Sequence, residues 1–263
     1  METQSIVVLD FGAQYSQLIA RRIREFNIFS AVLPCNASLD EIRSYTPVGI
    51  ILSGGPSSVY DEDAPVADPG IFELGLPILG ICYGFQYMVF NLGGKVRPAA
   101  KREYGHADVA IEVAGSALFQ GVPKNLSVWM SHGDEADQLP PGFQLTAKSP
   151  NAMAAIENVE RRMWAVQFHP EVHHTPLGKD ILRNFAMNIC GAKPTWTAQH
   201  FIDATVEHLD QTNKWLSEMS DFHDMVGEMP DSPKRIGYGA NATPVPPLMQ
   251  QKPPRPPMRM KVK

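Results

Sequence analysis

The sequence predicts an α/β protein with an open, mostly parallel sheet that is flanked by helices and extended by antiparallel strands. Four short, wholly apolar segments alternate with helix-like segments in the first 92 residues. Apolar strands of this kind are typical of a parallel sheet that is covered on both faces. After Lys95 the pattern changes to strand-like segments joined by turns, and this change predicts the antiparallel extension.

The four predicted parallel strands cover residues 6–10, 30–33, 48–52 and 77–81. Apolar side chains at helical spacing predict a helix over residues 14–26, between the first two strands. Ser38 followed by Glu41 has the form of a capping box, which predicts a short helix that ends before Pro47. A weak helix is expected around residues 71–74. Ligands of such sheets bind beyond the carboxyl ends of the strands, so a site is expected there.

Five further strands are predicted in the second half, at residues 109–113, 126–130, 143–147, 153–157 and 163–168. An amphipathic helix is then expected over residues 178–190, because its apolar side chains recur on one side. Residues 102–105 and 131–134 are polar and are predicted to lie in loops.

Three regions are expected along the chain: a globular domain over residues 1–195, a helical junction over 196–220 and a tail over 221–263. Residues 230–263 contain nine prolines and seven Lys or Arg residues against a single Asp. This composition predicts a basic, disordered extension. Because the net charge of the whole chain is −5, the remainder is acidic, and an acidic body argues against nucleic-acid binding.

The composition is that of a protein with one substantial core, since 44% of the 263 residues are hydrophobic. Three cysteines without paired spacing argue against a disulfide framework and for a reducing compartment. No apolar run approaches the length that crosses a membrane. We therefore expect a cytoplasmic protein without a membrane partner.

The strongest chemical signal is the segment Gly-Ile-Cys-Tyr-Gly at residues 80–84, directly after an apolar strand. Glycines on both sides of Cys82 allow a strand and a helix to cross closely at a tight turn, the arrangement of a nucleophile elbow. Cys82 would then lie at a helix N-terminus, where the helix dipole favours the reactive thiolate. A buried cysteine in an ordinary turn is the alternative for this motif taken alone.

A cysteine nucleophile requires a base, a group that orients the base, and donors for the oxyanion. His169 follows a predicted strand, and Glu171 is close enough in sequence to hold its imidazole. Gly54 and Gly55 offer backbone amides without side chains, and the amide of Tyr83 follows the nucleophile. A metal site is not expected at His169, His173 and His174, because they lack the helical His-Glu-x-x-His arrangement.

Several motifs resemble those of the class I glutamine amidotransferases and occur in the order that this family has. The resemblance covers roughly residues 5–192. Further segments narrow the resemblance to the amidotransferase domains of glutamine-hydrolysing GMP synthases. The motifs that carry the resemblance are Asp-Phe-Gly-Ala-Gln-Tyr at 10–15, Ser-Gly-Gly-Pro at 53–56, Gly-Ile-Cys-Tyr-Gly-Phe-Gln at 80–86, Arg-Glu-Tyr-Gly at 102–105, Met-Ser-His-Gly-Asp at 130–134 and Gln-Phe-His-Pro-Glu at 167–171.

The resemblance implies a flavodoxin-like or Rossmann-like fold and a glutaminase reaction. Cys82 would attack the side-chain amide of L-glutamine with help from His169, and the ammonia would pass to a synthetase that activates xanthosine monophosphate with ATP. The residues that match the glutamine-binding positions of the family are Gln86, Gly55 and the backbone of Ser131, His132 and Gly133.

The chain resembles only the ammonia-producing half of such an enzyme. No glycine-rich phosphate-binding loop follows residue 192, although a synthetase domain would require one. We therefore expect no cofactor in this chain, with ATP and Mg²⁺ needed only by an ATP-pyrophosphatase subunit or domain, and the chain is either a free subunit or part of a longer enzyme. Two other functions remain open: an amidotransferase of another pathway or a stand-alone γ-glutamyl amide hydrolase, and a non-catalytic regulator. The complete set of Cys82, His169 and Glu171 argues against the regulator.

Overall fold

The computed structural model describes residues 4–197 and Gln199. Backbone contacts separate Met1–Phe201 from Ile202–Lys263, and the elements given below belong to the described residues of the first unit. Most of the predicted helical junction at 196–220 and all of the predicted tail at 221–263 lie outside the described residues, so both stay predictions.

One sheet runs through the described part of the chain and contains nine strands in the spatial order β2-β1-β3-β4-β9-β8-β7-β5-β6. Strands β2, β1, β3, β4 and β9 pair in parallel, whereas the pairs from β9 through β8, β7 and β5 to β6 are antiparallel. The strands are β1 (Ser5–Asp10), β2 (Phe29–Pro34), β3 (Pro47–Leu52), β4 (Ile78–Ile81), β5 (Lys95–Ile111), β6 (Asn125–Gln138), β7 (Gln144–Lys148), β8 (Met153–Asn158) and β9 (Met163–Val166).

Helices connect and cover the parallel strands. They are α1 (Ser16–Arg24), α2 (Leu39–Ser44), α3 (Tyr83–Asn91) and α4 (Gly178–Arg183), with two 3-10 helices at Pro69–Glu73 and Ala117–Phe119. The predicted cap of α2 is present, because the Ser38 side chain accepts a hydrogen bond from the Glu41 amide at 3.1 Å. The helix predicted over residues 178–190 is instead α4 followed by a π-helical segment, Asn184–Ile189.

The core lies on both faces of the sheet. Alternate residues of β1 belong to different apolar clusters, with Ile6 and Val8 in one and Val7 and Leu9 in the other. All four side chains are fully buried. Period-two alternation sends successive side chains to opposite faces, so a wholly apolar strand requires cover on both. The predicted α/β fold with its antiparallel extension is confirmed.

The two longest strands differ from the prediction. Residues 102–105 and 131–134, predicted as loops, belong to β5 and β6, where Glu103 pairs with His132 and Tyr104 with Ser131. These segments look like loops in the sequence because their inward-facing residues are polar: Glu103, His132 and Asp134 are all buried. Buried polar groups satisfied by one another replace the apolar alternation that usually marks a strand.

No helix within residues 4–197 combines the length and the apolar character needed to span a bilayer.

Candidate active site

Cys82 occupies a sharp turn between β4 and α3. Its φ angle is 52°, in the left-handed region that non-glycine residues rarely adopt. The flanking glycines make the turn possible: a side chain at Gly80 would lie 2.6 Å from the Gly84 carbonyl oxygen, and one at Gly84 would collide with Leu52. Strand and helix therefore cross at a distance that only glycine permits, and the cysteine is held at the tip of the turn.

The backbone on either side locks the elbow in place. The Cys82 amide donates to the Val166 carbonyl at 2.9 Å, and the Gly84 amide donates to the Ser53 carbonyl at 3.0 Å. Cys82 is only 4% exposed, and its Sγ lies 3.5 Å from the carbonyl oxygen of Ser131. As the residue before α3, it also faces the partial positive charge of that helix N-terminus.

His169 follows β9, and its imidazole lies beside Cys82, since a side chain at Gly54 would contact both residues. The imidazole Nδ1 is 2.7 Å from Oε1 of Glu171, a carboxylate that is 1% exposed. The backbone of His169 is fixed as well, because its amide donates to the Trp129 carbonyl at 3.0 Å. The structure thus brings Cys82, His169 and Glu171 together, with a hydrogen bond between the last two.

The pKa of His169 reflects its two partners. Burial alone would lower this pKa, but the hydrogen bonds with Cys82 and Glu171, together with their negative charges, raise it from its usual 6.5 to about 11. The imidazolium form is therefore favoured at neutral pH, which places a positive charge beside Cys82.

The residues predicted to donate to the oxyanion lie near Cys82 in space or directly after it in the chain. Gly54 lies just after β3 and next to the site, because a side chain there would lie 3.1 Å from Cε1 of His169 and 3.7 Å from Cβ of Cys82. A side chain at Gly55 would also be too close to its surroundings, since it would approach the Phe11 carbonyl oxygen to 2.7 Å. Tyr83 is the first residue of α3, where amides have no intrahelical acceptor.

The residues assigned to glutamine binding fall into two groups. The Ser131 carbonyl faces Cys82, and the neighbouring Gly133 is partly exposed. The side chains of Gln86 and His132 turn elsewhere: Gln86 Nε2 donates to the Asp134 carbonyl at 2.9 Å, and His132 lies between that carbonyl and Glu103. Both residues are 4% exposed, and the partners of these two side chains are groups of the protein itself.

Three further residues support the site, and the sequence alone did not predict these roles. The Ser53 hydroxyl accepts from the Phe11 amide at 3.0 Å and donates to the Gly54 carbonyl at 2.8 Å. The Thr175 hydroxyl donates to the His169 carbonyl at 2.7 Å. The Tyr15 ring meets the His169 ring edge-on, with 6.3 Å between centroids. The first two are ordinary hydroxyl residues whose roles depend on contacts that spacing in the sequence does not reveal.

The other two cysteines occupy different surroundings. Burial raises the pKa of both the Cys35 and the Cys190 thiols. All three cysteines are free. Within the described residues, no group of three His, Cys, Asp or Glu side chains could hold a metal ion.

Comparison with known proteins places this chain in a family. The family described as glutamine amidotransferase class-I matches residues 7–189. A curated relative, the glutamine-hydrolysing GMP synthase of Lactobacillus gasseri, is 53% identical over 205 residues, which are 78% of this chain and 40% of the relative. The enzyme of the same name from Enterococcus faecalis is 54% identical over 205 residues, covering 77% and 39%. The chain thus spans about 40% of the length of these curated relatives.

Solved structures agree with the sequence match. A GMP synthase subunit from Thermoplasma acidophilum has a TM-score of 0.65 and 32% identity, over 73% of this chain and 96% of its own. A glutamine amidotransferase from Thermotoga maritima shares the fold, with a TM-score of 0.56 and 20% identity over 72% and 99% of the two chains. The resemblance inferred from the motifs is confirmed, and the chain belongs to the class I glutamine amidotransferase family.

Proposed function

We propose that this chain hydrolyses the side-chain amide of L-glutamine to glutamate and ammonia through a covalent intermediate on Cys82. The observation that carries the proposal is the elbow cysteine beside the hydrogen-bonded His169–Glu171 pair. A cysteine nucleophile, a base and an orienting carboxylate form the set that acyl transfer requires.

The first half of the reaction releases ammonia. The Cys82 thiolate attacks the side-chain carbonyl carbon of glutamine, and the oxygen takes up the negative charge. The amides of Gly54 or Gly55 and of Tyr83 donate hydrogen bonds to that oxyanion. His169 then gives its proton to the departing nitrogen, so ammonia leaves and a γ-glutamyl thioester remains on Cys82.

The second half restores the enzyme. His169, now neutral, takes a proton from a water molecule, and the resulting hydroxide attacks the thioester carbon. Glutamate leaves, and the proton on His169 again balances the Cys82 thiolate. Glu171 holds Nδ1 of the imidazole throughout, so Nε2 stays directed toward the reacting atoms.

We further propose that the ammonia serves GMP synthesis through an ATP-dependent synthetase, as a partner subunit or as a further domain. Support comes from the curated relatives named as glutamine-hydrolysing GMP synthases, of which this chain matches about 40% of the length. The partner would bind ATP with Mg²⁺ and activate xanthosine monophosphate, and this chain would hold no cofactor of its own. The enzyme would work in the cytoplasm, a reducing compartment that suits its three free cysteines.

Adding a cognate ATP-pyrophosphatase synthetase with ATP, Mg²⁺ and xanthosine monophosphate is expected to raise glutamine hydrolysis by this chain. Docking of the synthetase would bring the amides near Cys82 into productive geometry. The glutaminase site and the synthetase site would then be linked by a coupling free energy. The measurement is ammonia release with and without the synthetase, alongside GMP formation. The chain alone should form no GMP.

Two results would contradict this part of the proposal. GMP formed by the pure chain would show that it is more than the ammonia-producing half. An unchanged rate of glutamine hydrolysis in the presence of the synthetase would favour a stand-alone γ-glutamyl amide hydrolase.

A glutamine-like chloroketone is expected to modify Cys82 and to spare Cys35 and Cys190. The reason is that Cys82 lies beside the positively charged His169, whereas burial raises the pKa of the Cys35 and Cys190 thiols. Peptide mapping after a time course measures the three rates, and excess L-glutamine should protect Cys82 alone. Equal modification of Cys35 or Cys190 would contradict the assignment of the nucleophile.

A further inference from the structure

The segment that carries the proposed oxyanion donors has no regular secondary structure. It follows β3 and runs from Ser53 to the 3-10 helix at Pro69–Glu73. A backbone without helix or strand bonds depends on tertiary contacts for its position. We define residues 53–61 as the glycine loop, because Gly54 and Gly55 lie at its start.

The near end of the glycine loop is anchored by Ser53, whose hydroxyl bonds to the Phe11 amide and to the Gly54 carbonyl. The far end is anchored by one carboxylate, that of Asp134 in β6. Its Oδ2 accepts a short hydrogen bond from the Ser58 hydroxyl, and its Oδ1 accepts from the Tyr60 hydroxyl at 2.7 Å. The two donors are 76 and 74 residues away in sequence, so this contact joins the glycine loop to a distant strand.

Asp134 is itself held firmly. It is 8% exposed. Its backbone carbonyl accepts from Gln86 Nε2 at 2.9 Å and lies 2.9 Å from Nδ1 of His132. His132 is fixed in turn by the buried carboxylate of Glu103, 3.2 Å from Nε2. A row of buried polar groups from β5 through β6 therefore sets where the Asp134 carboxylate points.

The same strand also reaches the nucleophile, because the Ser131 carbonyl lies 3.5 Å from Sγ of Cys82. Asp134 is three residues further along β6. One rigid strand thus contacts Cys82 at one point and holds the far end of the glycine loop at another. A carboxylate that accepts two hydroxyl hydrogen bonds is a strong anchor, since hydrogen bonds to charged acceptors are the stronger ones.

We propose that Asp134 is a positioning residue for glutamine hydrolysis: through Ser58 and Tyr60 it holds the glycine loop so that the Gly54 and Gly55 amides meet the oxyanion. This inference rests on the proposed glutaminase function. It assigns a role to a buried acidic side chain that does not touch the reacting atoms.

The experiment compares four forms of the full chain: wild type, Asp134→Ala, Asp134→Asn and Asp137→Ala. Asp137 is a matched control, because it lies on the same strand but forms an exposed ion pair with Arg97 at 3.0 Å. Asn at position 134 keeps one carbonyl oxygen as acceptor and offers an amide that can donate to Ser58. Three quantities are measured: kcat and KM for glutamine, the rate of Cys82 alkylation by iodoacetamide, and deuterium uptake of the glycine loop.

Asp134→Ala is expected to lower kcat about 10- to 100-fold, because small misplacements of catalytic groups have effects of that order. KM and the alkylation rate should stay near wild type, since alkylation displaces iodide and forms no oxyanion. Deuterium uptake should rise in the glycine loop. Asp134→Asn should recover most of kcat, and Asp137→Ala should behave as wild type.

A second variant guards against misfolding of Asp134→Ala. Ser58→Ala combined with Tyr60→Phe removes both donors and leaves the buried carboxylate in place, and it should reproduce the loss of kcat. Combining Ser58→Ala and Tyr60→Phe with Asp134→Ala should then lower kcat little further, since the three residues act as one unit.

Three results would overturn the inference: wild-type kcat in Asp134→Ala, an equal fall in kcat and in alkylation rate, or no rescue by Asn. If wild type releases no ammonia from glutamine even with a synthetase, the proposed function fails instead. Even if the chain releases no ammonia, deuterium uptake of the glycine loop in wild type and in Asp134→Ala would decide whether Asp134 anchors that loop.

Discussion

Cys82→Ala is expected to abolish glutamine hydrolysis, with a loss of at least about 10⁴-fold in kcat. Without sulfur no thioester can form, and neither His169 nor the oxyanion donors can replace the covalent route. The fold should persist, because the elbow is set by Gly80, Gly84 and their backbone contacts rather than by the thiol. Ammonia release and thermal melting of the same preparation measure both expectations.

Cys35→Ala is the control for this change. It removes the same chemical group at a position outside the site, and this variant should hydrolyse glutamine at the wild-type rate. Wild-type ammonia release by Cys82→Ala would show that another group is the nucleophile.

Glu171→Gln is expected to lower kcat by about 10²- to 10⁴-fold while leaving KM nearly unchanged. The amide keeps the shape of the carboxylate, but it removes the negative charge that favours imidazolium at His169. A Gln amide can also donate to Nδ1, which would hold the imidazole in the wrong tautomer. The pKa of His169 should fall, which NMR of its ring nitrogens can measure.

Glu157→Gln is a matched control, since Glu157 is another buried carboxylate, 2% exposed, that accepts hydrogen bonds from Ser116 and Trp164. If both Gln variants lose activity equally, the effect of Glu171 is general destabilisation. If Glu171→Gln keeps wild-type kcat, Glu171 does not orient the base.

The parallel half of the fold was predictable because its strands are buried on both faces. Full burial on two faces requires an unbroken apolar run, and such a run is easy to recognise in a sequence. The position of Cys82 was predictable for a related reason, since the close crossing of β4 and α3 requires glycine at 80 and 84.

The antiparallel half was predictable only in part. Strands β5 and β6 extend through polar stretches in which Glu103 and His132 are buried against each other. No apolar alternation marks such residues, because each polar group is satisfied by a partner that is distant in sequence. The roles of Ser53, Thr175 and Asp134 could not be predicted for the same reason, since they depend on contacts that only the folded chain creates.

The central claim, covalent hydrolysis of glutamine on Cys82, is tested most directly by trapping the intermediate. Wild type is mixed with isotope-labelled L-glutamine, quenched in acid during turnover and digested for mass spectrometry. We expect a labelled γ-glutamyl group on the peptide that contains Cys82, and no labelled peptide from Cys82→Ala. Ammonia release by wild type without any labelled Cys82 peptide, matched by equal release from Cys82→Ala, would contradict the claim.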